Sequence, residues 1–497
     1  MENMEKRGSG ILLHISSLPS DYGIGNFGKE AYKFVDFLKE SGQKYWQILP
    51  LGQTSYGDSP YQSFSTNAGN PYFIDFDFLK EEGLLKEEEY KNIDWGNSPT
   101  KVDYEKIYTH RYEILLKAFK RFDQNTPKYL EFLEKEKAWI EDYATFMSIK
   151  FLNNGICWNL WKDEYKFRDF NTLKKYKQEN KDDIEFWKFI QFKFYEQWSK
   201  LKKYANENEV QIIGDIPIYV AYDSVDVWKN PEYFELTEKH EPESVAGVPP
   251  DPFSPTGQLW GNPLYNWEYM KTTGYKWWVD RMRSASEIYD VIRIDHFRGF
   301  DSFFSIPAKD KTAERGVWKK GPGIELFETL EKELGKLNVI AEDLGFLTPS
   351  VIKLLKDSKF PGMKLMQFAF DSREGGDYLP HNYTANSIAY IGTHDNDTGI
   401  GWLKTADKKD IEYMQEYLAT DEKNKKELLW KIICRTMSTV SKIAIIQMQD
   451  YLMLGNEARM NKPSTLGGNW CWRMKKDALT DKLSKKILKI TKLYQRV

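Results

Sequence analysis

Four acidic side chains stand where short apolar runs of the sequence end. They are Asp215, Asp295, Glu342 and Asp395. A single Asp at such a place commonly caps the helix that follows, so each acid alone has an ordinary structural explanation. Four acids that converge on one cleft indicate chemistry instead. Retaining glycoside cleavage needs two converging carboxylates, because one attacks the anomeric carbon while the other protonates the leaving oxygen.

The residues around two of these acids suggest different roles for them. Arg293 lies two positions before Asp295, and residues i and i+2 of a strand share a face. A neighbouring cation keeps a carboxylate ionised, so Asp295 is the candidate nucleophile. Glu342 follows Ala341 and has no equally placed cation. Its pKa is therefore free to rise, as a general acid requires.

Two histidines, His296 and His394, each adjoin one of these acids. A lone histidine is more often a structural hydrogen-bonding residue, and donation to sugar hydroxyls is the alternative; both interpretations stay open here. The metal-binding pattern H-E-x-x-H and the phosphate-binding pattern G-x-x-x-x-G-K-[ST] are both absent from the sequence. We therefore expect no catalytic metal, no other cofactor and no phosphoryl transfer.

The elements that must position these residues are eight short apolar runs, most of them preceded by an amphipathic helical pattern. Apolar runs of this kind are typical of strands buried on both faces of a parallel sheet. Eight β/α units close into a TIM (β/α)8 barrel of about 250 residues, with its chemistry at the carboxyl ends of the strands. The sequence thus predicts an α/β barrel. The runs cover residues 10–19, 44–52, 210–220, 289–297, 338–345, 363–370, 387–396 and 442–450.

The rest of the chain must form insertions into this barrel. We expect one catalytic barrel over residues 1–497, with a helical insertion at about 76–208 and a lid-bearing insertion at about 221–288. The first insertion contains one apolar stripe at helical spacing. It consists of Trp187, Ile190, Phe194, Trp198 and Leu201.

Composition narrows the class of partner. The net charge is −3, which gives no basic field for nucleic acid or an anionic membrane. Aromatic residues make up 15% of the chain, with 17 tryptophans, which fits either large cores or sugar binding. Three scattered cysteines, a charged N-terminal stretch and the lack of an 18-residue apolar run predict a cytoplasmic protein.

Four segments of the chain resemble, in order, the four signature regions of the α-amylase superfamily: IIGDIPIYV, VIRIDHFRGF, VIAEDLG and YIGTHDNDT. Longer strings at 10–28, 49–75, 245–265 and 456–470 are similar to glycoside hydrolase family 77, the amylomaltases. This resemblance implies 4-α-glucan transfer on maltooligosaccharides and on starch- or glycogen-derived glucans. It also implies a barrel without a calcium site or C-terminal β-domain, and only about 45 residues follow the eighth run.

The resemblance also implies roles for individual residues. Asp295 resembles the family nucleophile, Glu342 the general acid/base and Asp395 a third carboxylate that grips the sugar hydroxyls. The residues that resemble its substrate-binding side chains include the sugar-stacking Tyr61, the lid residues Gln258 and Trp260, and Tyr56, part of a second glucan-binding groove. The remaining ones are sugar-binding neighbours of the acids, namely Asp215, Arg293, His296 and His394.

From the residues alone, transfer and hydrolysis remain equally open, because both use the same glycosyl-enzyme intermediate. A transferase must exclude water, and two segments could form a lid, 245–265 and 461–473. Pro/Gly-rich loops are also ordinary connections, so only the resemblance favours transfer. A binding protein without activity would not need all three of Asp295, Glu342 and Asp395. A phosphate-dependent sugar enzyme would need a basic phosphate pocket, which we do not identify.

Overall fold

The computed structural model describes residues 6–54, 57–251, 254–345, 347–371, 376–465 and 467–497. Eight parallel strands form its central sheet, in the order β10-β11-β12-β1-β2-β3-β6-β9. These strands, labelled in chain order, are β1 (Gly8–Leu12), β2 (Tyr45–Gln47), β3 (Gln211–Ile216), β6 (Val291–Ile294), β9 (Val339–Ala341), β10 (Gly362–Leu365), β11 (Ser387–Tyr390) and β12 (Ile443–Gln447).

The two end strands of this sheet, β9 and β10, meet and nearly close it into a barrel. Ala341 N donates to Pro361 O at 3.0 Å across the junction. Each of the eight apolar runs overlaps one barrel strand, and every barrel strand is almost entirely buried. The predicted TIM (β/α)8 barrel is therefore confirmed.

Helices cover the barrel and fill the stretch between β2 and β3. The longest helix carries the predicted apolar stripe, and all five of its residues are buried. Six tryptophans are also fully buried, so much of the aromatic content serves the core. The helices are α1 (Lys29–Glu40), α2 (Phe76–Glu81), α3 (Tyr104–Phe119), α4 (Pro127–Lys135), α5 (Ile140–Leu152), α6 (Asp163–Lys166), α7 (Phe170–Glu179), α8 (Lys181–Glu207), α9 (Val225–Lys229), α10 (Trp267–Thr272), α11 (Lys276–Ile288), α12 (Ile324–Leu334), α13 (Pro349–Ser358), α14 (Gly399–Thr405), α15 (Lys408–Tyr417), α16 (Lys425–Ser438), α17 (Met448–Tyr451) and α18 (Asp481–Leu493).

A second, antiparallel sheet lies beside the barrel, with strand order β5-β4-β7-β8. It has a small apolar cluster of its own, formed by Val245, Phe304, Ile306 and Ala313. Two of its strands come after barrel strand β6, so the sheet reaches beyond residue 288. Its strands are β4 (Ser244–Val248), β5 (Gln258–Pro263), β7 (Ser302–Pro307) and β8 (Val317–Lys320).

Within the described ranges, no helix has the length and apolar character needed to cross a membrane. The helices after β12 are α17 and α18. The division of the chain into one catalytic barrel with two inserted subdomains stays a prediction.

Candidate active site

A buried arginine links two of the acids at the carboxyl end of the barrel. Arg293 Nη1 lies 2.8 and 2.7 Å from the two carboxylate oxygens of Asp215 and 3.1 Å from Asp295 Oδ1. The contact with Asp295 is the one that i, i+2 spacing predicts. The contact with Asp215 arises because β3 and β6 are neighbours, with Asp215 directly opposite Arg293. One guanidinium therefore balances two carboxylates.

Tyr61 connects this group to the loop after β11. Its hydroxyl donates to Asp215 Oδ2 at 2.8 Å, and its ring stacks on His394 with ring centroids 5.2 Å apart. Trp470 lies against both rings, 5.9 Å from each. Trp470 belongs to the second predicted lid segment, 461–473, and was not among the predicted site residues. The three rings form an aromatic wall beside the acids.

Asp395 is held by two residues that were not among the predicted site residues. Asn461 Nδ2 donates to Asp395 Oδ1 at 2.6 Å, and Arg459 Nη2 donates to the Asp395 backbone carbonyl at 2.6 Å. His394 Nε2 lies 3.4 Å from Asp395 Oδ2. Asn461 and Arg459 lie within one of the family-like strings, but no spacing rule connects them to a loop more than 60 residues earlier.

Glu342 directly follows β9 and is fixed by two backbone amides. His296 N donates to Glu342 Oε2 at 2.7 Å, and Leu344 N donates to Oε1 at 2.9 Å. His296 adopts the left-handed conformation, with φ of 52°, which is uncommon for a residue other than glycine. This unusual backbone belongs to the residue whose amide contacts the carboxylate.

His296 also contacts the small antiparallel sheet. Its ring meets the edge of Trp260 at a centroid distance of 4.8 Å, and Trp260 Nε1 donates to Gln258 Oε1 at 3.1 Å. Both residues lie on β5. The predicted lid residues are thus packed beside the residue that follows Asp295.

Several polar atoms of the site are buried and have no hydrogen-bond partner among the described residues: Arg293 Nε, His296 Nε2, and His394 Nδ1 and Nε2. Buried polar atoms are rarely left unpaired. Burial lowers the pKa of His296 to about 4, and burial also lowers the pKa of His394. Both rings are therefore neutral at neutral pH and can each donate one hydrogen bond and accept another.

Burial raises the pKa of both central carboxyl groups. The pKa of Asp295 lies well above its ordinary value because burial and the nearby Glu342 outweigh Arg293. Burial raises the pKa of Glu342 as well, while Arg293 and the two amides oppose that rise. The expected contrast, in which a cation acts on Asp295 alone, is therefore not present. Because the charge of one group changes the pKa of the other, Asp295 and Glu342 titrate as a pair.

The structure brings the predicted site residues together, with one exception. Tyr56 lies outside the described residues. In the part of the chain that the structure describes, no group of three or more His, Cys, Asp or Glu side chains could hold a metal ion. The arrangement offers two half-buried carboxyl groups, a third carboxylate and unpaired donors beside aromatic rings, which fits acid/base and nucleophilic chemistry on a sugar.

Comparison with known proteins decides the family. The model of glycoside hydrolase family 77, described as 4-alpha-glucanotransferase, matches residues 13–480. This chain belongs to the 4-α-glucanotransferase family. The family resemblance read from the sequence is therefore confirmed, and membership in the family makes the protein a glycosyltransferase enzyme.

Members of the 4-α-glucanotransferase family match the chain over nearly its whole length. A 4-alpha-glucanotransferase from Clostridium butyricum is 50% identical, covering 97% of this chain and 100% of its own. One from Streptococcus pneumoniae is 49% identical, covering 99% and 98%. The solved structure of an amylomaltase from Streptococcus agalactiae in complex with acarbose is 45% identical, with a TM-score of 0.95 and coverage of 99% and 100%.

Proposed function

We propose that this protein transfers segments of α-1,4-glucans to the 4-hydroxyl of an acceptor sugar by a retaining double displacement through Asp295. The observation that carries this proposal is the pair of half-buried carboxyl groups at the carboxyl end of the barrel, Asp295 beside Arg293 and Glu342 on two backbone amides. Glycosidic bonds are cleaved by such pairs. The transferase class follows from the family.

In the first half-reaction, ionised Asp295 attacks the anomeric carbon of the donor glucan. The bond from that carbon to the glycosidic oxygen breaks, and protonated Glu342 gives its proton to the departing oxygen. The leaving segment departs as an alcohol, and the donor glycosyl group stays bonded to Asp295. Because the two groups titrate as a pair, one can be ionised while the other is protonated, which is the state that this step requires.

The second half-reaction reverses these steps with a new sugar. The acceptor's 4-hydroxyl gives its proton to Glu342 while its oxygen bonds to the anomeric carbon. The bond from that carbon to Asp295 breaks and restores the free carboxylate. Two inversions at one carbon leave the α-configuration unchanged.

The surrounding residues supply binding and orientation. Asp395, fixed by Asn461 and Arg459, is placed to grip sugar hydroxyls. The unpaired ring nitrogens of His296 and His394 can hydrogen-bond to others. Tyr61 offers an aromatic face beside the acids, because its hydroxyl is anchored on Asp215 and its ring on His394. We propose maltooligosaccharides and starch- or glycogen-derived glucans as substrates, in keeping with the acarbose complex of the S. agalactiae amylomaltase.

Transfer in place of hydrolysis requires that water be kept from the intermediate. Trp260 packs against His296, which follows Asp295, and Trp470 packs against His394, which precedes Asp395, so both bring apolar surface close to the acids. We propose that these two tryptophans, with Gln258, favour a sugar acceptor over water. A cytoplasmic location is likewise part of this proposal and rests on the sequence alone.

Purified protein incubated with maltotriose and EDTA tests the function. We expect free glucose together with a ladder of longer maltooligosaccharides, with no increase in total reducing ends, because each transfer conserves the number of glycosidic bonds. Only glucose and maltose, with rising reducing ends, would instead mean that the enzyme is a hydrolase. Loss of activity in EDTA, restored by a divalent cation, would contradict the metal-independent mechanism.

A further inference from the structure

The barrel has a seam between β9, which leads into Glu342, and β10. The other seven neighbouring pairs of barrel strands are joined by regular parallel ladders. Across the seam, Ala341 N donates to Pro361 O at 3.0 Å. The next amide, Met363 N, donates to a side chain, Asp343 Oδ1, at 2.6 Å. A carboxylate thus takes the hydrogen bond that a backbone carbonyl accepts in a regular ladder.

The carboxylate of Asp343 is tightly enclosed between β9 and β10. Asp343 is 3% exposed, and a Cβ atom on Gly362 would lie only 2.6–2.8 Å from its carboxyl atoms. Any residue with a side chain at position 362 would push the carboxylate away from Met363 N. The glycine and the aspartate therefore form one fitted contact between the two strands.

This contact supports the backbone of Glu342 from one side. On the other side, β6 and the loop after it hold the same residue through backbone bonds, from Glu342 N to Ile294 O and from Phe297 N to Glu342 O, both 3.0 Å. On the β10 side, both neighbours of Glu342 are attached, Ala341 through its amide and Asp343 through its side chain. We propose that Asp343 is a positioning residue, which holds Glu342 in place at the barrel seam and sets a second negative charge beside it. This inference rests on the acid/base role proposed above for Glu342.

The charges around Asp343 fit this role. Burial raises the pKa of Asp343, and the amide of Met363 and the ammonium group of Lys364 on β10 oppose that rise by favouring the ionised form. Burial is the largest cause of the raised pKa of Glu342, and the charge of Asp343 adds to it. Asp343 also raises the pKa of the Tyr378 hydroxyl on the same side of the barrel, where burial is the main cause. A negative Asp343 therefore helps Glu342 to keep the proton that it must donate.

The replacement Asp343→Asn tests the charge and keeps the hydrogen bond, because the asparagine Oδ1 can still accept from Met363 N. We expect the alkaline limb of the pH profile of kcat/KM on maltotriose to move to lower pH by about one unit. With α-maltosyl fluoride, whose fluoride leaves without a proton, kcat for the first half-reaction should stay close to the wild-type value. Asp343→Ala, which also opens the seam, should lower kcat on maltotriose about 10–100-fold with little change in KM.

Asp75→Asn is the matched control. Asp75 is 4% exposed, accepts from one backbone amide, Phe78 N, at 3.0 Å, and lies against a glycine, Gly28. It caps α2, away from the acids, and its replacement should leave the pH profile unchanged. Thermal melting of each variant, read beside the kinetics, separates a folding defect from a change at the site.

Two results would overturn the role of Asp343: an Asp343→Asn variant with the wild-type pH profile, or one that loses maltotriose and maltosyl fluoride activity equally. The role of Glu342 is decided separately by Glu342→Gln. If that variant is not rescued by maltosyl fluoride, the proposed function fails. If it is rescued while Asp343→Asn has no effect, only the inference about Asp343 fails.

Discussion

Arg293 is shared between Asp215 and Asp295, and this sharing sets the charge balance of the cleft. A guanidinium that also binds a second carboxylate stabilises ionised Asp295 less than it would if Asp295 were its only partner. Meanwhile two backbone amides bind Glu342. In the free enzyme, Asp295 and Glu342 therefore share the proton that the reaction uses. A bound donor assigns the proton when it places its glycosidic oxygen next to one group and its anomeric carbon next to the other.

Replacement of either carboxyl group should have a different effect for each donor. Glu342→Gln should lower kcat on maltotriose by about 10²–10⁴-fold, because a proton donor is lost. Activity with α-maltosyl fluoride should recover in the first half-reaction, since fluoride needs no proton. Asp295→Asn should be inactive with both donors, because no nucleophile remains. Steady-state and burst kinetics with the two donors measure these effects.

The opposite pattern would reverse the assignment. If Asp295→Asn were rescued by maltosyl fluoride and Glu342→Gln were not, then Glu342 would be the nucleophile. Lys492→Met, on the exposed surface of α18, gives a matched handling control with unchanged kinetics.

Residues of the segment after β12 hold the loop after β11 in place. This loop carries His394 and Asp395 and leads into α14. Asp450, in α17, accepts the Gly399 amide at the start of α14 at 2.6 Å, while Asn461 and Arg459 hold Asp395 itself. Helix α14 and the third carboxylate are thus both fixed by one later segment. Local sequence patterns contain no information on such contacts, which explains why Asn461 and Arg459 were not predicted.

Asp450 should make stability depend on pH. It is fully buried, and burial raises its pKa from 3.8 to about 7. Between these values the folded state holds a proton that the unfolded state has lost, so this contribution to stability falls as pH rises from about 4 to 7. In Asp450→Asn the contribution is absent. The free energy of unfolding of the variant relative to wild type should therefore rise with pH in this window, by up to about 1.4 kcal/mol per unit.

Urea unfolding of both proteins at several pH values between 4 and 8 measures this difference. A gap that stays constant across the window would mean that Asp450 does not change its protonation on unfolding. Asp75→Asn does not serve as a control here because burial raises the pKa of Asp75 too. Asn125→Ala, at an exposed turn, changes no titrating group and should run parallel to wild type.

At the scale of the whole molecule, the sequence predicts features that depend on hydrophobic periodicity and on the order of the elements. It does not predict features that depend on which strands pair with each other. The eight apolar runs identify the barrel because each strand is buried on both faces. The small antiparallel sheet was not predicted as such. Its strand β8 has no buried residue, and its four strands lie on both sides of β6 in the sequence. The left-handed backbone of His296 likewise has no signal in a residue that is not glycine.

A fully buried arginine, Arg496, joins the barrel strands that come first and last in the sequence, β1 and β12. Its guanidinium donates to the carbonyls of Gly8, Met437, Thr439 and Lys442, at 2.7–3.2 Å. These groups belong to the start of β1, the end of α16 and the approach to β12. Arg496→Met should therefore lower the free energy of unfolding by about 3 kcal/mol, since buried carbonyls lose their donor. Lys492→Met on the exposed side of α18 should change it by less than about 0.5 kcal/mol.

Chemical denaturation of the two variants tests this joint. Equal stability of Arg496→Met and Lys492→Met would show that the arginine does not hold β1 and β12 together. Activity per folded molecule should be unchanged in both, because neither residue touches the cleft.

Mass spectrometry can show whether a glycosyl group becomes bonded to Asp295 during turnover. Glu342→Gln mixed with α-maltosyl fluoride should accumulate the intermediate, because release to an acceptor needs the missing base. After rapid acid quenching and proteolysis, we predict a peptide containing Asp295 that carries one maltosyl group, and no such label in Asp295→Asn. A label on a different residue, or turnover to a β-configured product without any label, would contradict the proposed covalent role of Asp295.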